Sequence, residues 1–509
     1  MPFEKELGEL ADHTRAALAM GGEDKLARRR AEGVLDARER LDRLLDAGSF
    51  VEWGMFARGI LPEVRDRSPA DGKVAGFGRI EGRPVGVVSN DFTVLGASSS
   101  VVNGKKIRHV RETVDRRGMP LVLLGESSGA RMPDRMGAPG RAILGQDPLE
   151  FRRLRSSPWV SALLGSCYGS STWYGCMSDF VVMRKGATMA VASSRVTSMA
   201  IGQEVDPEEL GGWELHTGTT GLVDVAVDTD EEALDTVRRV LSYLPSSAAE
   251  TPPVATVPAG SDEASQSILD VFPESRSSVY DVRTVIGRIA DRDSLFELKP
   301  RFGKSLVTAF VRMDGHSVGV VANNPKFKGG AIDVDSMHKA TSFLVLCDSF
   351  NIPLVFLVDQ PGFLIGVEGE KRGAPGRIMN WMNALAQVTV PKLSIVMRKS
   401  YGQAYLNMGG GRYSDALACW PMADLGFMDP SLAVNVLHGV KQSEEPERFE
   451  ALRSDVARDT SAWALAALYE AHAVLDPRDT RRWLKEMLAL HRRGKTVSEH
   501  RLANWPTSY

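Results

Sequence analysis

Two short stretches hold the residues best suited to chemistry. Residues 396–408 read VMRKSYGQAYLNM. There an apolar run ends at the basic pair Arg398 and Lys399, a small bendable segment follows, and Tyr405 to Met408 can begin a helix. A strand that breaks through a glycine turn into a helix leaves backbone N–H groups without intrahelical partners. Those donors sit at the positive end of the helix dipole, where they suit a developing negative oxygen. Residues 168–172, YGSST, repeat the element. One such turn is a helix start. Two related turns point to paired oxyanion sites, and stabilising two negative oxygens in turn fits transfer of a group between two carbonyl-bearing partners. The competing reading is a pair of duplicated packing turns.

The remaining candidates are weaker. Residues 125–129, GESSG, fit G-x-S-x-G and would make Ser127 a hydrolase nucleophile. The matching place in the second half of the chain is VDQPG, where Gln360 replaces Ser127. The same turn is therefore made without a nucleophile, and a structural strand-to-loop turn is the better reading. His216, in GGWELHTGTTG, is a lone histidine in a Gly/Thr-rich loop, a setting that is more often structural than catalytic; His316 and His338 have less to recommend them. Arg131, Arg141 and Arg377 follow glycine-bearing turns. Arginines so placed meet phosphate, cap helix ends or pair with carboxylates.

The elements that position these residues come in two copies. Residues 77–129 align with 310–362 at a constant offset of 233, without a gap. Phe77, Arg79, Gly82, Gly86 and Asn90 meet Phe310, Arg312, Gly315, Gly319 and Asn323, and Lys106, Asp115 and Pro120 meet Lys339, Asp348 and Pro353. The same offset carries Tyr168 and Gly169 onto Tyr401 and Gly402, and GAPGR follows the matched strand in both halves. A register kept this long is an internal duplication of a whole domain. Each half reads as a hairpin, a helix, a buried strand, a helix, then a second buried strand and a turn. This is an α/β pattern with partly parallel pairing. Residues 37–50 read as an amphipathic helix stopped by Gly48. Residues 245–278, rich in Ser, Pro, Ala and Glu, have linker composition. The expected division is 1–250, a linker at 251–278, and 279–509. The tail from 444 reads as helical and charged, suited to packing.

Composition excludes several classes. The 509 residues carry a formal charge of −3 with both signs interspersed, which argues against nucleic acid or an anionic membrane as partner. No apolar run approaches the ~20 residues of a membrane helix, and the charged N-terminus is no secretory signal. The four cysteines lack disulfide or metal spacing and fit a reducing cytoplasm. No metal-ligand motif is present, so no metal is expected.

On these residues the chain resembles the carboxyltransferase β subunits of biotin-dependent acyl-CoA carboxylases, the propionyl-, acetyl- and methylcrotonyl-CoA enzymes. The matching text covers nearly the whole length and includes LDARERLDRLLDAGSF, SSGARM, GQEVDPEELGGWELHT, YDVRTVIGRIADRDSLFELKPRFG, NNPKFKGGAID, CDSFNIPLVFLVDQPGFLIG and VPKLSIVMRKSYGQAY. The resemblance implies two crotonase-fold domains in tandem, the N-terminal one on the acyl-CoA side and the C-terminal one on the biotin side. It implies that carboxybiotin, carried by a biotin carboxylase or carrier subunit, gives up CO2. The ureido nitrogen then takes the proton alpha to the thioester, and the enolate attacks CO2. The oxyanion turns would fall on Gly169 and Ser170 and on Gly402, Gln403 and Ala404. Coenzyme A would lie beside Gly129, Ala130 and Arg131, biotin beside Gly362, Phe363 and Gly366, and the acyl pocket would include Leu406. Family members are hexamers, trimers of dimers, so a homo-oligomer is expected, and carboxylation and carrier functions would come from other chains.

Departures cluster around the same site. The family's glycine-rich turns are YGSS and YGQAY here, so Ser170 and Gln403 put side chains where glycine lets a ligand approach. PGFLPG becomes PGFLIG, and YEAHAV replaces the expected text at 469–474. These changes read as a shifted substrate, with loss of biotin chemistry as the second reading. The alternatives are a decarboxylase or carboxyltransferase acting on a non-standard thioester, and a non-catalytic partner of a paralogous subunit.

Overall fold

The computed structural model describes residues 3–142, 151–492 and 501–505. The chain divides into two compact units, one ending at Glu250 and one beginning at Thr251. Among the described residues no helix is long and apolar enough to cross a membrane.

Each unit is built on an eight-stranded mixed sheet. In the first unit the strands are β1 (Val51–Glu52), β2 (Lys73–Ile80), β3 (Arg83–Asn90), β4 (Leu121–Ser128), β5 (Trp159–Tyr168), β6 (Phe180–Arg184), β7 (Thr188–Ala190) and β8 (Val225–Val227). They lie in the order β1-β2-β3-β4-β5-β6-β8, with β7 beside β5. The second unit contributes β9 (Phe296–Leu298), β10 (Leu306–Met313), β11 (His316–Asn323), β12 (Leu354–Gln360), β13 (Lys392–Tyr401), β14 (Ala416–Cys419), β15 (Asp424–Gly426) and β16 (Ala473–Val474). Their order is β16-β14-β13-β12-β11-β10-β9, with β15 beside β13.

The duplication read from the sequence holds down to single hydrogen bonds. β2 and β3 form an antiparallel hairpin, as do β10 and β11, whereas β3-β4-β5 and β11-β12-β13 pair in parallel. The hairpin turns at Glu81 and Gly82 and at Asp314 and Gly315 have positive φ at both positions, which matches the right-handed strand twist. Asp46 accepts both turn N–H groups at 3.0 and 2.8 Å, and Asp291 does the same at 3.1 and 2.7 Å. Parallel strands need a crossover. The helices Val101–Arg117 and Val334–Ser349 supply it, capped by Ser100 and Asp333.

One crossover lysine recurs in each unit. Lys106 Nζ donates to the carbonyls of Gly54, Ala70 and Lys73, and Lys339 Nζ to those of Lys299, Phe302 and Leu306. Both tie the crossover helix to the loop that enters the hairpin. Burial lowers Lys339 from 10.5 to about 7 and Lys106 to about 8.

The helix Ala37–Leu44 starts on a capping box of Asp36 and Glu39 and ends before Gly48, shorter than its periodicity suggests. Its Arg40, 1% exposed, joins Glu126 and Asp230 at 3.0 Å each, and Arg29 reaches Glu126 at 2.6 Å. Two further findings differ from the sequence reading. Within 251–278, Glu263–Asp270 forms a 3-10 helix, and Ile268 and Phe272 enter the core of the second unit. The tail is not helical throughout, since β16 pairs with β14; residues 493–500 and 506–509 lie outside the described residues.

Two outcomes are expected. Arg40→Met leaves buried carboxylates short of a cation and should cost about 3–5 kcal/mol, read as a lower urea midpoint at unchanged m-value; a shift worth less than about 1 kcal/mol would refute the role given to Arg40. Between about 7 and 10.5 the unfolded chain holds a proton that folded Lys339 does not. The Lys339 contribution to stability therefore rises with pH across that window. Urea midpoints of Lys339→Met should accordingly climb less than wild type between pH 7 and 9; parallel curves would refute the assignment.

Candidate active site

In the first unit β4 and β5 are parallel neighbours and end at the same edge of the sheet. Beyond β4, the chain at Gly129 to Arg131 pairs with Ser99. The Ser99 N–H donates to Gly129 O at 2.8 Å, and the Arg131 N–H donates to Ser99 O at 3.0 Å. Beyond β5, Gly169 turns the chain with φ 61 and ψ −120 into the helix Ser170–Met177. A side chain at Gly169 would be strained by this φ, and its Cβ would stand 3.5 Å from Gly129 Cα and 3.9 Å from Ala130 N. The two turns therefore touch. The N–H groups of Ala130 and Ser170 have no acceptor among the described residues. The Ser170 hydroxyl shares a 2.5 Å hydrogen bond with that of Ser99.

The second unit repeats this geometry beyond β12 and β13. The Ile332 N–H donates to Gly362 O at 3.1 Å and the Leu364 N–H to Ile332 O at 2.8 Å, with Phe363 between. Gly402 turns with φ 65, and its N–H is held by Gly426 O at 3.0 Å. Gln403 adopts helical φ and ψ and precedes the short helix Ala404–Asn407. The N–H groups of Phe363, Gln403 and Ala404 have no acceptor among the described residues. The Gln403 side chain is exposed and makes no hydrogen bond among the described residues, while Ala404 is buried. Leu406 is half-buried one turn along. Gly366 opens the helix Val367–Lys371 at the end of a loop that exposes Leu364 and Ile365.

A buried carboxylate stands under each pair of turns. Glu126 is held by Arg29 and Arg40. At the matching position, Asp359 takes Arg398 at 2.9 Å, the Tyr280 hydroxyl at 3.0 Å and the Lys399 N–H at 3.2 Å. Burial beside this carboxylate raises Tyr280 well above the usual tyrosine value. Beside Asp359, Gln360 Nε2 donates to Ser400 Oγ and Tyr401 O at 3.3 Å each, tying the ends of β12 and β13 together. Sequence reasoning passed over these two acids. The signal was available, because both occupy the second position of the aligned pentapeptides GESSG and VDQPG.

Several expectations change. The guanidinium of Arg131 is not free for phosphate: it is 3% exposed, pairs with Asp71 at 2.6 Å and donates to Ser98 Oγ and O. Its charge is taken up by Asp71, as a buried charge must be paired, and only its main chain meets the neighbouring turn, through Ser99. Ser127 is buried, donates to Ala97 O at 3.1 Å and accepts the Gly129 N–H at 3.1 Å, as a turn residue does. His216 has both ring nitrogens engaged, by Thr220 Oγ1 at 3.0 Å and Met189 O at 2.7 Å, and burial lowers its pKa. Arg377 is half-buried, makes no side-chain hydrogen bond or ion pair among the described residues, and its charge adds to the burial that lowers the His338 pKa. The side chain of Arg141 lies outside the described residues.

Comparison with known proteins agrees with the duplicated architecture. The carboxyl transferase domain model matches residues 28–501. The chain is 33% identical to the propionyl-CoA carboxylase carboxyltransferase subunit of Haloferax mediterranei, over 99% of this chain and 100% of the relative. It is also 33% identical to the methylmalonyl-CoA carboxyltransferase 12S subunit of Propionibacterium freudenreichii subsp. shermanii, over 99% and 98% of the two chains. Among solved structures, a transcarboxylase 12S hexamer with methylmalonyl-coenzyme A and methylmalonic acid bound superposes with a TM-score of 0.88 at 32% identity, covering 98% of this chain and 99% of that one. The tandem α/β sheets are thus the crotonase-like domains of that enzyme group, and the chain belongs to the carboxyl transferase domain family, the carboxyltransferase components of biotin-dependent acyl-CoA carboxylases.

Proposed function

We propose that the chain moves a carboxyl group between biotin and the alpha carbon of an acyl-CoA, with the enolate and the biotin-side oxygen each held by backbone N–H groups. The observation that carries this reading is the recurrence, in both units, of N–H groups without an acceptor among the described residues, on two turns at one sheet edge. Such donors are fixed before reaction and lose nothing to reorganisation as charge develops. On the acyl side the donors are the N–H groups of Ala130 and Ser170, with Gly169 keeping the approach open and Gly129 and Arg131 holding the neighbouring loop through Ser99. On the biotin side they are the N–H groups of Gln403 and Ala404, with Gly402 shaping the turn and Gly362, Phe363 and Gly366 bordering the bound ring. Leu406 lines the acyl group.

Biotin, delivered by a carrier or carboxylase subunit on a separate chain, supplies the carboxyl group and a ureido nitrogen that holds the proton leaving the alpha carbon. The biotin-side turn fits this group, since its N–H groups have no acceptor among the described residues and can meet a ureido or carboxylate oxygen. No side chain of the site is required as acid or base. The protein orients the partners and stabilises charge. The substrate is a CoA thioester of the malonyl or methylmalonyl type, paired with its decarboxylated acyl-CoA. The active form is a homo-oligomer, following the hexamer named for the 12S relative.

The Gln403 side chain, exposed and without a partner among the described residues, favours one variant of this reading, in which the thioester is larger or more polar than propionyl-CoA. A site built to hydrogen-bond a polar group rejects the analogue lacking it.

Purified chain with free biotin and a panel of malonyl-type thioesters is expected to release the matching acyl-CoA; no turnover with any of them would overturn the reading. Gln403→Gly should raise kcat/KM for methylmalonyl-CoA by about 10-fold or more relative to the best wild-type substrate. An unchanged ranking would remove the non-standard thioester.

A further inference from the structure

Residues 251–278 have the composition of a connector, yet their last turn lies against the biotin-side turn. Arg276 is the point of contact. Its guanidinium carbon stands 5.6 Å from the centre of the Tyr401 ring, the residue immediately before Gly402. One arm pairs with Asp424 and the other with Asp429 at 3.2 Å.

Both carboxylates frame the same turn. Asp424 opens β15, which pairs in parallel with Lys399, Ser400 and Tyr401. β15 ends at Gly426, whose carbonyl accepts the Gly402 N–H at 3.0 Å, and the next carbonyl, Phe427 O, lies 3.3 Å from where a Gly402 Cβ would be. Asp429 caps the helix Pro430–His438 through the Ser431 N–H at 2.9 Å. One guanidinium thus stacks on the strand that feeds the turn and grips both ends of the segment that receives it. A flat, two-armed cation can do this, whereas an ammonium grips one point. The carbonyls at 275 and 278 are themselves fixed by Arg398 Nη1 at 2.9 and 3.0 Å, so the backbone carrying Arg276 is anchored to the strand it serves.

We infer that Arg276 is a positioning residue for the carboxyl transfer, setting the angle at which the Gln403 and Ala404 N–H groups meet the biotin-side oxygen. The inference rests on the function proposed above. Only 38% of the Arg276 side chain is exposed, so its pairs are partly shielded from water and stronger than open surface pairs.

The test compares wild type, Arg276→Ala and Arg276→Lys in the full chain. In biotin-supported decarboxylation of the best thioester, Arg276→Ala should lower kcat by about 10- to 100-fold, the scale of a misplaced donor, with the thioester KM within about two-fold. Added ethylguanidinium should restore part of the lost kcat in Arg276→Ala and leave wild type unchanged, and Arg276→Lys should recover less than half. In parallel, amide exchange read by mass spectrometry should quicken in peptides covering 399–408 and 424–431 of Arg276→Ala and stay unchanged in β10 and β11. A kcat within two-fold of wild type, or a loss that ethylguanidinium does not touch, overturns the inference while leaving the proposed function intact. If wild type turns over no thioester, the proposed function fails, and unchanged exchange in those peptides then overturns the placement of Arg276 as well.

Discussion

The structure depends on one backbone event repeated in each unit: a buried parallel strand stops, the chain turns with positive φ, and a helix begins. The stop frees N–H groups that neither the sheet ladder nor the helix can use. In most interiors such orphaned donors are a cost. At the sheet edge after β5 and β13 they stay available, because the neighbouring strands β4 and β12 end beside them and the chain beyond those strands bonds sideways, to Ser99 or Ile332. Named contacts tie these ends to their units, Gln360 to Ser400 and Tyr401 among them.

That holding is electrostatic below the turns and apolar further down. Glu126 and Asp359 are buried, each under a pair of turns and each met by arginine. Removing carboxylates from water is tolerable only with such pairing, and once paired they resist displacement. Below them the strands of the second unit are buried on both faces, and the cluster running from Ile268 through Val307, Val355 and Ile395 to Leu484 joins linker, sheet and tail into one core. The lysines Lys106 and Lys339 do the same, each reaching three carbonyls of an entry loop with a single side-chain nitrogen.

The two units are similar in frame and different in finish. The turn after β5 carries Ser170, whose hydroxyl is engaged by Ser99. The turn after β13 carries Gln403, whose side chain is exposed. The backbone donor survives in both. A duplicated frame therefore keeps its backbone geometry while the side chains at its rim differ, since the turn is set by the main chain and the rim residues are not.

Much of this was legible in the sequence because it rests on local rules and on repetition. The hairpins, the crossover helices, the strand ends and both glycine turns follow from alternation, capping and a single offset shared by two copies. The paired acids at 126 and 359 were equally visible in that alignment, although their role was not. What only the tertiary structure decided concerns groups whose partners are distant in the chain. The guanidinium of Arg131 meets Asp71 in place of a phosphate, His216 is closed between Thr220 and Met189, and the connector around residue 276 packs on a strand more than a hundred residues away. Spacing along a chain fixes backbone geometry over a few residues, whereas the fate of a charged or polar side chain is set by whichever counter-group folding brings within reach.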